Sequence, residues 1–352
     1  MADTLGKGWI PQPDDEQDWI YQPPTDSSFK VKSHVDLRDT HHVQRDIYNQ
    51  GEMNSCTANA IASALRYGKN AEAWGARNVK WNPSRMFIWY HERIMTATDG
   101  GLVEPAELHK FLLGTEENIA YGKNRLAATG TVSRATIDAH LKQNAGSNER
   151  YGFKSLTRYG VCSEETWPYL SLAADVVKHD FYAPPAKALD EAKTFVPPTL
   201  TYWRIKDIAE NAGDNVIKHM EAALSEHYPI VFGFRGSVAN ANLGYGVGLD
   251  KDFTYTGWVK DNDETWGHAV LCVGFDHEKQ RFLVLNSWGT KFGNGGYFYM
   301  PYRWFKPEEG MYLDKQWGRL PRCDDIWVVK SHMPPEGTLG TDVTPETTLN
   351  HK

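Results

Sequence analysis

The spacing of hydrophobic positions changes about halfway along the chain. "TANAIASALRY" sets Ala58, Ile61, Ala62 and Leu65 three and four residues apart, which predicts one buried face of a helix with Gly68 placed to stop it. "PSRMFIWYHERIM", opening at Pro83, keeps the same period. "TVSRATIDAHLKQ" and "FKSLTRYG" predict shorter helices, the second ended by Gly160. After "CSEETWPY" the apolar runs shorten to "TYWRI", "PIVFGF", "GHAVLCVGF", "RFLVLNSW", "GGYFYM" and "DIWVVK", each bounded by Gly, Asn or Asp, which predicts strands. Only "VIKHMEAALSE" returns to a helical period. The expected class is α+β: a mainly helical domain over 35–170, a mainly β domain over 171–330, and a ligand cleft at the seam. Residues 1–34, rich in Pro, Asp and Gln, predict an extended arm, and 331–352 a polar mobile tail. Neither end is expected to carry chemistry.

Composition narrows the function. With 352 residues and 41% hydrophobic content, the chain is long enough for two sizeable cores. The net charge of −7 comes from mixed acidic and basic residues, with no basic stripe, so nucleic acid is not an expected partner. No apolar run reaches the length of a membrane span, and the opening "MADTLGKGWIPQPDDEQDW" lacks the basic and apolar regions of a secretory leader. Cys56, Cys162, Cys272 and Cys323 are widely separated, which predicts mostly unpaired thiols and a cytoplasmic or otherwise non-classical location. "HERIM" has Met95 where a zinc helix needs its second histidine, and "GYGVG" lacks a following Lys-Ser/Thr, so no metal or cofactor site is expected.

The chemistry centres on "NQGEMNSCTANA". A cysteine at the first turn of a helix meets unpaired backbone N–H groups and the positive end of the helix dipole, both of which favour a thiolate. Cys56 has that position. Its base is sought where local geometry can fix an imidazole. "HAVLCVGF" and "RFLVLNSW" flank the polar connection "DHEKQ", which predicts a hairpin with Phe275 facing Arg281. An unbroken ladder then pairs His268 with Trp288 and sets Asn286 on the same face, diagonal to His268 at roughly 7 Å. A bulge would turn His268 away. Cys56 is thus the candidate nucleophile, His268 the base, Asn286 the group orienting the ring, and Trp288 its shield from water. Gln50, on the loop entering the helix, could contribute an N–H to an oxyanion pocket with the Cys56 backbone N–H.

Five blocks in order, "VDLRD", "NQGEMNSCTANA", "YGVCSEETWPY", "GHAVLCVGFD" and "NSWGTKFGNGGYFYM", resemble those of the papain-like cysteine peptidases, across about residues 35–330. The CTANA form is similar to a bacterial and viral branch. The resemblance implies a helical domain and a β-barrel-like domain with the cleft between them. It also implies a cysteine endopeptidase acting on peptide or protein substrates through an acyl-thioester, without metal or cofactor. It assigns nucleophile, base, orienting and oxyanion roles to Cys56, His268, Asn286 and Gln50. A pocket for the second residue before the cut would involve Gly233, with Trp266 and Gly267 beside His268. The substrate-pairing edge falls at Gly100-Gly101 or at Gly130-Thr131. Relative to the family, the stretch 102–152 is an insertion, Thr57 replaces a common tryptophan, and Asn54 stands where glycine is usual and is expected to crowd the cleft. Two other readings share these residues: a papain-shaped binding protein without turnover, and a cysteine acyl-transferase or deamidase.

Overall fold

The computed structural model describes residues 8–12, 15, 18–38, 46–75, 82–99, 141–171, 184–194, 200–205, 215–238, 248–257, 259–316 and 318–331. Helices dominate the first part: α1 (Cys56–Ala64), α2 (Gly68–Gly75), α3 (Arg85–Asp99) and α4 (Glu149–Tyr159). Gly68, at φ +55°, both ends the α1 region and opens α2, since its Cβ would strike the His227 carbonyl. The Asn148 side chain caps α4 by accepting from the Tyr151 N–H, and Gly160 ends it at φ +69°. Of the segment "TVSRATIDAHLKQ", all but the last three residues lie outside the described residues.

The second part is built on one sheet. Its strands are β1 (His34–Asp36), β2 (Leu200–Ile205), β3 (Ile230–Ser237), β4 (Thr265–Asp276), β5 (Arg281–Leu285), β6 (Tyr297–Pro301) and β9 (Cys323–Ser331), ordered β2-β9-β3-β4-β5-β6 with β1 also on β4. A small hairpin, β7 (Met311–Asp314) and β8 (Gly318–Pro321), stands apart. Helices α5 (Ala186–Thr194) and α6 (Asn215–Ser225) fall among the strands. All pairings within the sheet are antiparallel, and among the described residues it runs as an open path rather than a closed barrel. The class is α+β.

Strand β4 holds the two parts together. It lies at the centre of the sheet and is buried from His268 to Phe275, and α1 packs against it. A continuous apolar core therefore runs from Ile61 in α1 and Leu65 at its C-cap to Val270, Leu271 and Val273 in β4.

The β4–β5 hairpin differs from the predicted ladder in two ways that cancel. It closes on Asp276↔Arg281, one residue tighter than expected, with Gln280 at φ +53° completing the turn. The register then shifts between Cys272 and Gly274, so that Leu271 faces Leu285. A bulge places one extra residue on its strand. It therefore restores the register that a five-residue turn would have given, and His268 keeps the face shared with Asn286.

Candidate functional site

Cys56 is the first residue of α1, and the preceding Ser55 makes no side-chain cap, so the N-terminal N–H groups of the helix are left to the thiol. The thiol lies against the backbone of β4 at Ala269, whose N–H, with that of Thr57 in its own helix, favours the charged sulfur. Ala269 follows His268, so the thiol and the imidazole belong to adjoining positions of one contact between α1 and β4. Burial raises the Cys56 pKa well above that of an ordinary thiol, and the nearby carboxyls of Glu149 and Glu92 add to this; the backbone donors oppose it and are outweighed.

His268 is fully buried, and its Nε2 lies 2.8 Å from Asn286 Oδ1. The Trp288 ring stacks on the imidazole with centroids 4.7 Å apart. Asn286 Oδ1 also accepts from the Ser287 N–H at 2.8 Å, which fixes the amide's orientation. Because this oxygen can only accept, the hydrogen bond at Nε2 assigns the ring proton there and leaves Nδ1 as the basic nitrogen.

Gln50 is tied to the same segment. Its backbone N–H donates to Ser287 O at 2.8 Å, its Oε1 accepts from Ser287 Oγ at 2.5 Å, and its Nε2 donates to Met53 O at 2.8 Å. Asn49 bridges to Trp288, and the Gly289 N–H donates to Tyr48 O at 2.8 Å. The loop entering α1 is thereby stitched to the strand end that carries Asn286. Tyr169 completes the stitch, with its hydroxyl 2.5 Å from Ser55 Oγ and donating to Gln50 O at 3.0 Å. Ser287 and Tyr169 carry no role in the sequence reading, although both stand inside quoted blocks.

Gly100 and Gly101 lie outside the described residues, as does Gly130-Thr131. A pairing edge does stand opposite β4, at Ser147. The Asn54 side chain hydrogen-bonds toward this edge, while its Cβ and carbonyl oxygen lie against Gly8, where an added Cβ would meet them at 2.8 Å and 2.5 Å. The Asn54 N–H donates to Asn144 Oδ1 at 2.7 Å, Asn54 Nδ2 donates to Asn144 O at 2.8 Å, and Asn144 Nδ2 donates to Glu52 O at 2.9 Å. Asn54 thus clamps the approach to Ser147 against the loop of the nucleophile.

The arm occupies the cleft. The Gly8 N–H donates to Gly267 O at 3.3 Å on the β side, and Gly8 O accepts from the Ser147 N–H at 2.9 Å on the helical side. Trp9 pairs with Ser147 in parallel, and the Ile10 N–H donates back to Ser147 O at 2.9 Å. Trp9 is buried against two of the predicted pocket residues: a Cβ on Gly233 would meet its ring at 1.9 Å, and one on Gly267 would meet its carbonyl oxygen at 2.5 Å. Trp266 is turned elsewhere, donating from Nε1 to Ser237 O at 3.0 Å with its ring over Gly236. Further along, the Tyr21 hydroxyl donates to Glu226 at 2.6 Å and Asp18 pairs with Arg150, so the arm is strapped down at both ends of its described course.

All four cysteines are free thiols and all are buried. Among the described residues no cluster of potential metal ligands occurs, and no helix is long and apolar enough to cross a membrane. His91 is a core residue, bonded through Nδ1 to Phe87 O at 2.8 Å, and burial lowers its pKa to about 4.

The sequence matches the profile of the papain family cysteine proteases over residues 130–306, a span that contains His268 and Asn286. It is 30% identical over 286 residues to an uncharacterised peptidase C1-like protein of Acanthamoeba polyphaga mimivirus, covering 80% of this chain and 68% of that one. It is 33% identical over 141 residues to pro-cathepsin H of Bos taurus, covering 40% of this chain and 35% of that one. Among solved structures, xylellain, a cysteine protease from Xylella fastidiosa, superposes with a TM-score of 0.63 at 26% identity, covering 94% of this chain and 98% of that one.

Proposed function

Because the chain belongs to the papain family and is a cysteine peptidase, we propose that it is an endopeptidase in which Cys56 forms an acyl-thioester with the substrate and His268 moves the proton. The observation that carries this reading is that Asn286 Oδ1 holds His268 Nε2 at 2.8 Å on β4, the strand against which α1 packs with Cys56 as its first residue. His268 Nδ1 takes the thiol proton, and the thiolate attacks the peptide carbonyl carbon. The Cys56 N–H at the head of α1, with the second N–H of Gln50 Nε2, stabilises the oxyanion. The imidazolium then protonates the departing amine. In the second half, His268 deprotonates water, which attacks the thioester and releases the acid. Asn286 maintains the ring in the tautomer that the first step needs, while Trp288 keeps water from their hydrogen bond.

Cys56 and His268 are both fully buried in the arrangement described, and the arm spans the cleft through Gly8. A substrate strand needs the Gly267 carbonyl and the Ser147 edge that the arm now uses. Turnover therefore requires the segment around Gly8 and Trp9 to leave, and the structure corresponds to a closed form. The test is alkylation by an epoxysuccinyl peptide followed by peptide mass mapping, on the full chain and on its Trp9→Ala variant. The expected adduct is on Cys56 alone, faster in Trp9→Ala and absent in His268→Ala. Equal labelling of all four thiols, or labelling of Cys56 that ignores His268→Ala, contradicts the reading.

A further inference from the structure

Trp9 fills a slot whose inner end is acidic. Its indole Nε1 donates to Asp325 Oδ2 at 3.3 Å, and the Gln12 N–H donates to the same oxygen at 2.8 Å. Asp325 is fully buried and sits where the β3–β9 register breaks, between the pairs Val231↔Trp327 and Gly233↔Asp324, at φ +49°. A non-glycine residue in that region is strained, and such strain persists only when the surroundings impose it. Here the bulge turns an aspartate beside Gly233 into the slot. Glu149, from the first turn of α4, approaches from the helical side. It is fully buried, neither of its oxygens has a hydrogen-bond partner, and burial together with the nearby Asp325 raises its pKa well above that of an ordinary carboxyl.

Charges around the slot are nearly matched without its occupant. Arg204 stands 3.5 Å from Asp325 and 3.4 Å from Asp18, Arg150 pairs with Asp18, and Arg235 stands 3.8 Å from Asp324. The Arg235 guanidinium also lies 4.9 Å from the centre of the Trp9 ring. An arginine or lysine entering the slot would meet this cation at close range. A phenylalanine or leucine would fill the slot without donating, so that Asp325 Oδ2 would lose one of its donors in a buried setting. An indole suits every element, offering a π face to Arg235 and one N–H to Asp325.

Resting on the peptidase reading above, we propose that the side-chain pocket which the resemblance implies at Gly233 and Gly267 is selective for tryptophan in this chain, with Asp325 as its specificity-determining residue. Trp9 then closes the cleft as an imitation of the preferred substrate side chain. Gly233 gives the ring its room, because any side chain there would overlap it.

Binding is tested first, on the full chain carrying Trp9→Ala, with indole and with indene, which has the same shape and no N–H. Calorimetry is expected to show indole at least about tenfold tighter, with the difference lost in Trp9→Ala/Asp325→Asn. Equal affinity for the two overturns the proposal. Hydrolysis is tested next, with quenched peptides in which Trp, Phe, Leu or Arg is moved through the positions around the cut. At one position Trp is expected to exceed Phe by about tenfold or more in kcat/KM, and both Asp325→Asn and Gly233→Val should remove that advantage. If Trp9→Ala does not fold, Trp9→Phe, which keeps the ring and drops the donor, gives the same peptide comparison. Cys56 labelled by the epoxysuccinyl peptide, with Trp and Phe cleaved equally, overturns the pocket and leaves the peptidase standing. Neither labelling nor cleavage takes down both.

Discussion

The two walls of the cleft are held by different means. The β wall presents His268, Gly267 and Gly233 from β4 and β3, and their positions follow from antiparallel register: Phe234 opposite His268, Gly233 opposite Ala269. Alternation assigns His268 to one face and Gly267, Ala269 and Gly233 to the other, so one pair of strands carries both the base and the substrate slot. The helical wall at Ser147 is loop, and side-chain amides fix it: Asn54 and Asn144 bind each other and the loop of the nucleophile. A wall built on a ladder resists single substitutions, because many backbone bonds share the load. One built on a few amide contacts can be loosened by removing a single side chain.

That difference can be tested by substitution. The largest effects belong to the reacting groups themselves: Cys56→Ala and His268→Ala are each expected to lower peptide hydrolysis by about 10⁴-fold or more, measured against an internally quenched peptide, with the fold intact by circular dichroism. Asn286→Ala frees the imidazole to rotate and is expected to cost about a hundredfold in kcat with little change in KM. The opposite split would mean that Asn286 serves substrate binding.

On the loop wall, Asn144→Ala removes two side-chain hydrogen bonds, leaving the one its backbone carbonyl accepts from Asn54, and is expected to reduce stability by about 1–3 kcal/mol in urea unfolding. It should also speed amide exchange at Ile10 and Ser147 and hasten Cys56 alkylation, whereas Val270→Ala on the β wall costs stability without that selective loosening. Equal exchange at Ser147 in both proteins would remove the distinction between the walls.

The smallest effect concerns Glu92, buried under the nucleophile's helix, where it accepts from Thr57 Oγ1 at 2.6 Å. Burial raises its pKa to about 8 against an ordinary 4.5. The folded protein therefore holds this proton where the unfolded chain has released it. The corresponding stability is fully present below about pH 4.5 and is lost as pH rises through about 8. Glu92→Gln is expected to flatten that fall, raising stability at pH 8 by about 1 kcal/mol or more relative to wild type and changing little at pH 4. A parallel pH profile in the two proteins would show that Glu92 is ionised in the fold.

Much of the β wall could be read from sequence because period-two alternation and a short polar connection determine which side chains share a face. His268, Asn286 and Trp288 were therefore accessible. The hairpin itself differs from an unbroken ladder by a turn one residue shorter and a bulge between Cys272 and Gly274, and the two compensate. Neither is encoded in hydrophobic spacing, since a bulge changes pairing without changing which residues are apolar. Ser147 was illegible for a related reason: a loop edge has no period, and the Asn54–Asn144 clamp joins positions ninety apart. Asp324-Asp325, two acids opening an apolar strand, was a signal available and not used. The arm's placement was hidden as well, because a tryptophan in a Pro- and Asp-rich segment has no partner in its own neighbourhood to identify it.

The central claim is that Cys56 and His268 act as one ionising pair beneath the arm. Its most direct measurement is the rate of Cys56 alkylation by iodoacetamide across about pH 5 to pH 9 in the full chain carrying Trp9→Ala. A thiolate–imidazolium pair predicts a reactive plateau reaching well below the range of an ordinary thiol, and loss of that plateau in His268→Ala. A rate that climbs only as a simple thiol ionises, and does so identically with and without His268, would contradict it.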